Sequence, residues 1–232
     1  MLIAGFYAQN DSNFPLLLAA AIVAASIISL VPALSYPFRL LFTIIHELGH
    51  GLMAWLTGGR LVKFELSANG SGMAYTVGGT GCLILPAGYL GTALFSAGLI
   101  LLGGLTNIAP YVLGALGGFL ILFVSFYGWA SPMALLSGSV LGLGFIGVAG
   151  WTSEEWSVFL LNFLAIFGGL TALGDLRLLT LVARFRVPIK NDAADMAHRI
   201  GCPALFWATL WFLMSLVILG AAIWLTWFSE WW

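Results

Sequence analysis

From Leu66 through Ser153 the sequence contains no aspartate, glutamate, lysine, arginine or histidine. A water-soluble chain covers its surface with ionisable groups, and more than a third of this one has none to offer. The rest is nearly as sparse. Of 232 residues, 61% are hydrophobic and 7% are charged, against roughly 25% charged in an average globular chain. Such a chain folds in a lipid bilayer. Its eight Lys and Arg are balanced by nine Asp and Glu, which leaves no basic patch for nucleic acid. A soluble enzyme, a disordered tail and a nucleic-acid binder are excluded together.

A helix crosses the hydrocarbon core with about 20 mostly apolar residues. Seven stretches qualify: 15–34, 38–57, 83–104, 108–128, 131–149, 156–182 and 203–227. The expected fold is an all-α polytopic membrane protein, one membrane-embedded domain over residues 1–232. The first stretch has no basic region before it and no evident small-residue cleavage site after it, so it reads as a retained span. Between the second and third stretches the pattern changes. Val62, Phe64 and Leu66 alternate with Lys63 and Glu65, Asn69-Gly70-Ser71-Gly72 supplies a turn, and Met73–Val77 returns. That alternation predicts a β-hairpin. Glycine pairs at helical spacing (Gly114 with Gly118, Gly138 with Gly142) suit close helix packing in lipid. Cys82 and Cys202 have no metal-ligand spacing and predict no disulfide framework.

Basic residues collect on the cytoplasmic side of membrane proteins. With seven spans and a cytoplasmic N-terminus, the hairpin and the 184–199 segment fall inside, carrying Arg60, Lys63, Arg184, Arg186, Lys190 and Arg199. Arg39, Glu154, Glu155 and Glu230 then lie outside, with an external C-terminus.

The second stretch carries His46-Glu47-Leu48-Gly49-His50. On a helix, residues four apart share a face. Two imidazoles so placed can hold one Zn²⁺, and the glutamate after the first can reach its bound water. Such a metal lowers the pKa of water to about 7, and Glu47 would take the proton and pass it to a leaving amine. Glu47 is also the only charged residue between Arg39 and Arg60. An ionisable group at that depth is costly and marks a functional site.

A catalytic zinc usually has three protein ligands. Asp175 is the only aspartate inside an expected span. It lies about 13 Å along its helix from Arg184, while His50 and His46 lie about 12 and 18 Å from Gly58. The depths agree, so Asp175 is the expected third ligand, with pairing to Arg177 or Arg184 as its structural alternative. Asp192 and Asp195 compete for the role. The segment Asn191–Asp195 reads as a helix start, with a capping side chain and acid in the first turn. His198 reads as a solvated residue of the same segment.

The histidine–glutamate motif, Thr57-Gly58-Gly59-Arg60, Gly70-Ser71-Gly72, Pro86-Ala87-Gly88-Tyr89-Leu90-Gly91 and Asn191-Asp192-Ala193 through Trp211 together resemble the site-2 protease class of intramembrane zinc metallopeptidases, in its compact B-like branch. The likeness covers a core of residues 38–220. It implies zinc on His46, His50 and a distal aspartate, Glu47 as catalytic base, and cleavage of membrane-embedded segments of membrane-protein substrates within the lipid bilayer. The competing reading is a catalytically silent membrane scaffold or binding protein that keeps the metal site. A transporter is disfavoured, because no inverted repeat is apparent in the hydropathy.

Overall fold

A computed structural model describes residues 13–228. Glu230 and Trp232, both placed outside the membrane by the sequence reading, lie beyond the described residues.

The chain opens with α1 (Phe14–Leu30) and α2 (Pro32–Leu56), which meet at a bend of 103°. Val31 forms the corner with φ −107° and ψ 104°. A residue before proline is pushed out of the α region by the pyrrolidine ring, so Pro32 sets the break at Val31. Pro37, which the hydropathy reading placed between two spans, instead lies inside α2.

Then come β1 (Arg60–Leu66), β2 (Gly72–Val77), α3 (Gly81–Gly103), α4 (Ala109–Tyr127), α5 (Pro132–Trp151) and α6 (Glu154–Arg184). A short α7 (Asp192–Ile200) precedes α8 (Ala204–Ile223), which runs into one wide turn to Phe228. Helices α3, α4, α5, α6 and α8 are long and apolar enough to cross a membrane, and the bent pair α1–α2 makes at most a sixth span. The expected count of seven treated that pair as two spans. The count is therefore five or six rather than seven.

The hairpin is present where the alternation placed it. β1 and β2 are antiparallel, with Arg60 opposite Val77, Leu66 opposite Gly72 and a bulge between Leu61 and Lys63. On its outer face Glu65 takes hydrogen bonds from Lys63 (2.7 Å) and Tyr75 (3.1 Å), which hold its carboxyl below the usual range. The hairpin lies along α2. Tyr36 donates to Ala68 O (2.6 Å) and Thr43 to Gly70 O (3.0 Å), so the turn sits beside the first half of the helix. Buried backbone N–H and C=O groups need hydrogen-bond partners. Here Ser131 supplies one: its hydroxyl donates to Leu66 O (2.9 Å) and accepts from Leu66 N–H (3.1 Å). Phe64, fully buried, stacks on Phe123 with ring centroids 5.1 Å apart.

Helices α2, α3 and α6 enclose the core. Phe38 and Phe42 of α2 meet Phe163 and Phe167 of α6. Gly138 and Gly142 bring α5 against Val124 and Gly117 of α4, the close packing their spacing suggested. Cys82 and Cys202 are free thiols.

Candidate functional site

His46 and His50 project from one face of α2 with their Nε2 atoms 3.1 Å apart. The Nδ1 of His50 lies 2.8 Å from the carbonyl oxygen of Ile84. A carbonyl can only accept, so Nδ1 carries the proton and Nε2 keeps its lone pair for a metal.

Helix α3 crosses α2 at this level because small residues allow it. Gly49 faces the Ala87 carbonyl so closely that a side chain there would collide with it. A Cβ on Gly88 would stand 2.5 Å from the Nε2 of both His46 and His50. The backbone of α3 thus closes one side of the space between the imidazoles.

The third donor comes from α7. Asn191 caps this helix by accepting from the Ala194 N–H (2.9 Å), the helix start expected from sequence. That cap puts Asp192 in the first turn. Ala193 and Met196 pack with Leu176, Leu179 and Trp211, which presses α7 onto α6 and α8. Asp192 Oδ2 lies 3.7 Å from His50 Nε2. One ligand atom each from His46, His50 and Asp192 all lie within 4.8 Å of one another. Burial pushes the Asp192 carboxyl above its ordinary range, against the pull of His50.

Asp175, the aspartate favoured by depth, is not in that group of three. It lines the same cavity, of about 600 Å³, together with Arg39. Rise along a helix axis fixes depth but not lateral position, and α7 brings Asp192 nearer. Asp195 also lines the cavity outside the group, and His198 is exposed as expected.

Glu47 is buried beside the histidines. β2 passes over it, with Gly72 in contact and the Ala74 amide directed at its carboxyl.

Ligands about 2.0–2.1 Å from a tetrahedral zinc stand roughly 3.3–3.4 Å from each other. The separations of 3.1 and 3.7 Å at His50 Nε2 bracket that value. Two imidazoles and one carboxylate, with a cavity on the open side, suit a catalytic zinc that keeps a position free. Sequence reasoning gave Gly72 a place in the turn and used Gly70-Ser71-Gly72 and Ala87-Gly88-Tyr89 only as carriers of the family resemblance, with no role at the site for Gly72, Gly88 or Tyr89.

A helical bundle of membrane-spanning length, with a candidate metal group beside a buried glutamate, defines an integral membrane protein. The family described as Peptidase M50B-like matches residues 19–222, and the chain belongs to it. No curated protein and no solved structure matches the chain.

Proposed function

We propose that the chain is an intramembrane zinc metalloendopeptidase that hydrolyses peptide bonds in membrane-embedded segments of other proteins. The observation that carries this is the convergence of His46, His50 and Asp192 within 4.8 Å beside the buried Glu47. His46, His50 and Asp192 would hold the metal, with Asp192 taking the place first expected of Asp175. When bound, zinc supplies the Lewis acidity that makes water a nucleophile near neutral pH.

The chain's own residues do the rest. His50, fixed through Nδ1 by Ile84, keeps Nε2 aimed at the site. Glu47 takes a proton from the attacking water on its carboxylate and delivers it to the leaving amine. A helical substrate hides its carbonyls in internal hydrogen bonds and must unwind before attack. The outward edge of β2, with Gly72, Ala74 and Thr76 on the cavity wall, offers main-chain groups to an extended peptide.

Orientation follows from the basic residues at the Arg184 end of α6 and in the 184–199 segment, which belong in the cytoplasm. Asn13 and Phe14 share a small cavity with Glu154 and Glu155, at the opposite end of α6. The start of α1 therefore belongs outside, as one end of a six-span arrangement.

Glu47→Gln is the deciding variant. It should keep zinc and fold, while cleavage of a reconstituted transmembrane substrate falls about 10²–10⁴-fold. Turnover that survives this substitution would remove Glu47 from the role of base, and a wild type that holds zinc yet cleaves nothing would make the chain a metal-stabilised scaffold instead.

A further inference from the structure

Tyr89 follows Gly88 on α3 and lines the cavity with His46, Glu47 and His50. Its ring meets that of His46 edge to face, with centroids 4.6 Å apart and planes at 87°. It also stacks against Trp211 of α8, 5.9 Å away at 24°. Two aromatic neighbours fix its plane. The hydroxyl has no hydrogen-bond partner among the described residues; those of Tyr36 and Tyr75 are bonded, and Tyr111 and Tyr127, also unbonded, are exposed while Tyr89 lines the cavity. A tyrosine this enclosed ordinarily finds a partner for its O–H. A phenol with a pKa near about 10 is protonated at neutral pH and can donate.

We propose that Tyr89 is a catalytic residue, whose O–H donates a hydrogen bond to the scissile carbonyl oxygen as negative charge develops there. The proposal rests on the peptidase reading. As water adds to the carbonyl carbon, a lone pair of its oxygen forms the new C–O bond. The C=O π pair moves onto the carbonyl oxygen, and the water proton goes to Glu47. Tyr89 keeps its own proton and shares it with the newly charged oxygen. Glu47 is held against β2 and Tyr89 is carried by α3, so base and donor reach the site from different walls. A fixed donor in a water-poor cavity stabilises such charge far more than one in bulk water.

Tyr89→Phe tests this, because it keeps the ring against His46 and Trp211 and removes only the oxygen. Zinc content is measured on purified full-length protein in detergent, with casein cleavage as a generic rate assay. Binding is followed calorimetrically with two probes. N-phosphoryl-Leu-Trp has a tetrahedral phosphorus that imitates the adding carbonyl carbon, and N-acetyl-Leu-Trp hydroxamate chelates metal without one. We expect unchanged zinc and hydroxamate affinity, with kcat and phosphoryl-dipeptide affinity falling by about 10²-fold, the scale for losing one such donor. Loss of zinc, equal weakening of both probes, or wild-type rate and phosphoryl affinity would overturn the assignment. If the wild type holds no zinc, binds neither probe and cleaves nothing, the peptidase reading fails and takes this proposal with it. If Glu47→Gln is inactive while Tyr89→Phe behaves as wild type, only the role of Tyr89 falls.

Discussion

Gly72 and Glu47 touch so closely that a Cβ on Gly72 would stand 2.7 Å from Glu47 Oε1 and 2.8 Å from its Cγ. The same Cβ would lie 2.7 Å from Thr43 Cγ2. Only a glycine lets β2 pass over the buried acid. Gly72→Ala must move either the strand or the carboxyl, and a shift of about 1 Å in a reacting group can cost 10²-fold. Cleavage should fall by about that factor while zinc content, measured by elemental analysis, stays at the wild-type level.

Gly88→Ala should act on the metal instead. The added methyl would intrude where the two Nε2 atoms converge, at 2.5 Å from each. Zinc affinity should drop more than about 100-fold, beyond the range typical of residues behind the ligands. Helical content by circular dichroism should be retained. Full zinc occupancy in this variant would mean that the imidazoles do not share an ion.

Asp192→Ala should strip zinc, since it opens a second coordination position. Asp175→Ala should leave zinc bound and change only the polarity of the cavity wall. The reverse result would restore Asp175 as the ligand.

The two histidines and Glu47 were legible in sequence because their relation is confined to one helix, where a spacing of four fixes the geometry. The hairpin was legible for a similar reason: alternation and turn residues are local. Asp192 was visible as a competing ligand and, more plainly, as the first turn of a helix. Its second relation, to His50, depends on how α7 packs over Leu176 and Trp211, and no local pattern encodes that. Depth favoured Asp175 because a helix axis gives one coordinate of three. Gly72 and Gly88 were legible as glycines but not as contacts, since what a missing side chain avoids depends on distant neighbours. The bend at Val31 did have a local cause in Pro32, but the hydropathy reading set the break at residues 35–37, beside Pro37.

Ser131→Ala tests how the hairpin is held against the start of α5. One buried hydroxyl serves Leu66 N–H and C=O and also caps α5 through Ala134 N–H. Removing it strands buried backbone groups, at a cost of about 1–3 kcal/mol. The thermal midpoint should fall, and protease should nick the hairpin more readily. An unchanged midpoint would mean that water replaces the hydroxyl.

Reporter insertions settle the orientation. A reporter at Lys190 should be cytoplasmic, and reporters at Glu154 and at the N-terminus external. An N-terminal reporter on the same side as Lys190 would mean that α1 and α2 cross separately despite the bend of 103°.

Asp192 lies far down the chain from His46 and His50, behind α3, α4, α5 and α6. Chains are made from the N-terminus onward at about 5–20 residues per second. On the proposed ligand set, the histidines enter the bilayer early, while the carboxylate that completes their trio has yet to be translated. The nascent protein therefore spends several seconds unarmed beside the translocation machinery and its other clients. On the peptidase reading, hydrolytic competence would begin only once nearly the whole bundle has been threaded, and order of synthesis would then be a safeguard against cutting the neighbours it is born among.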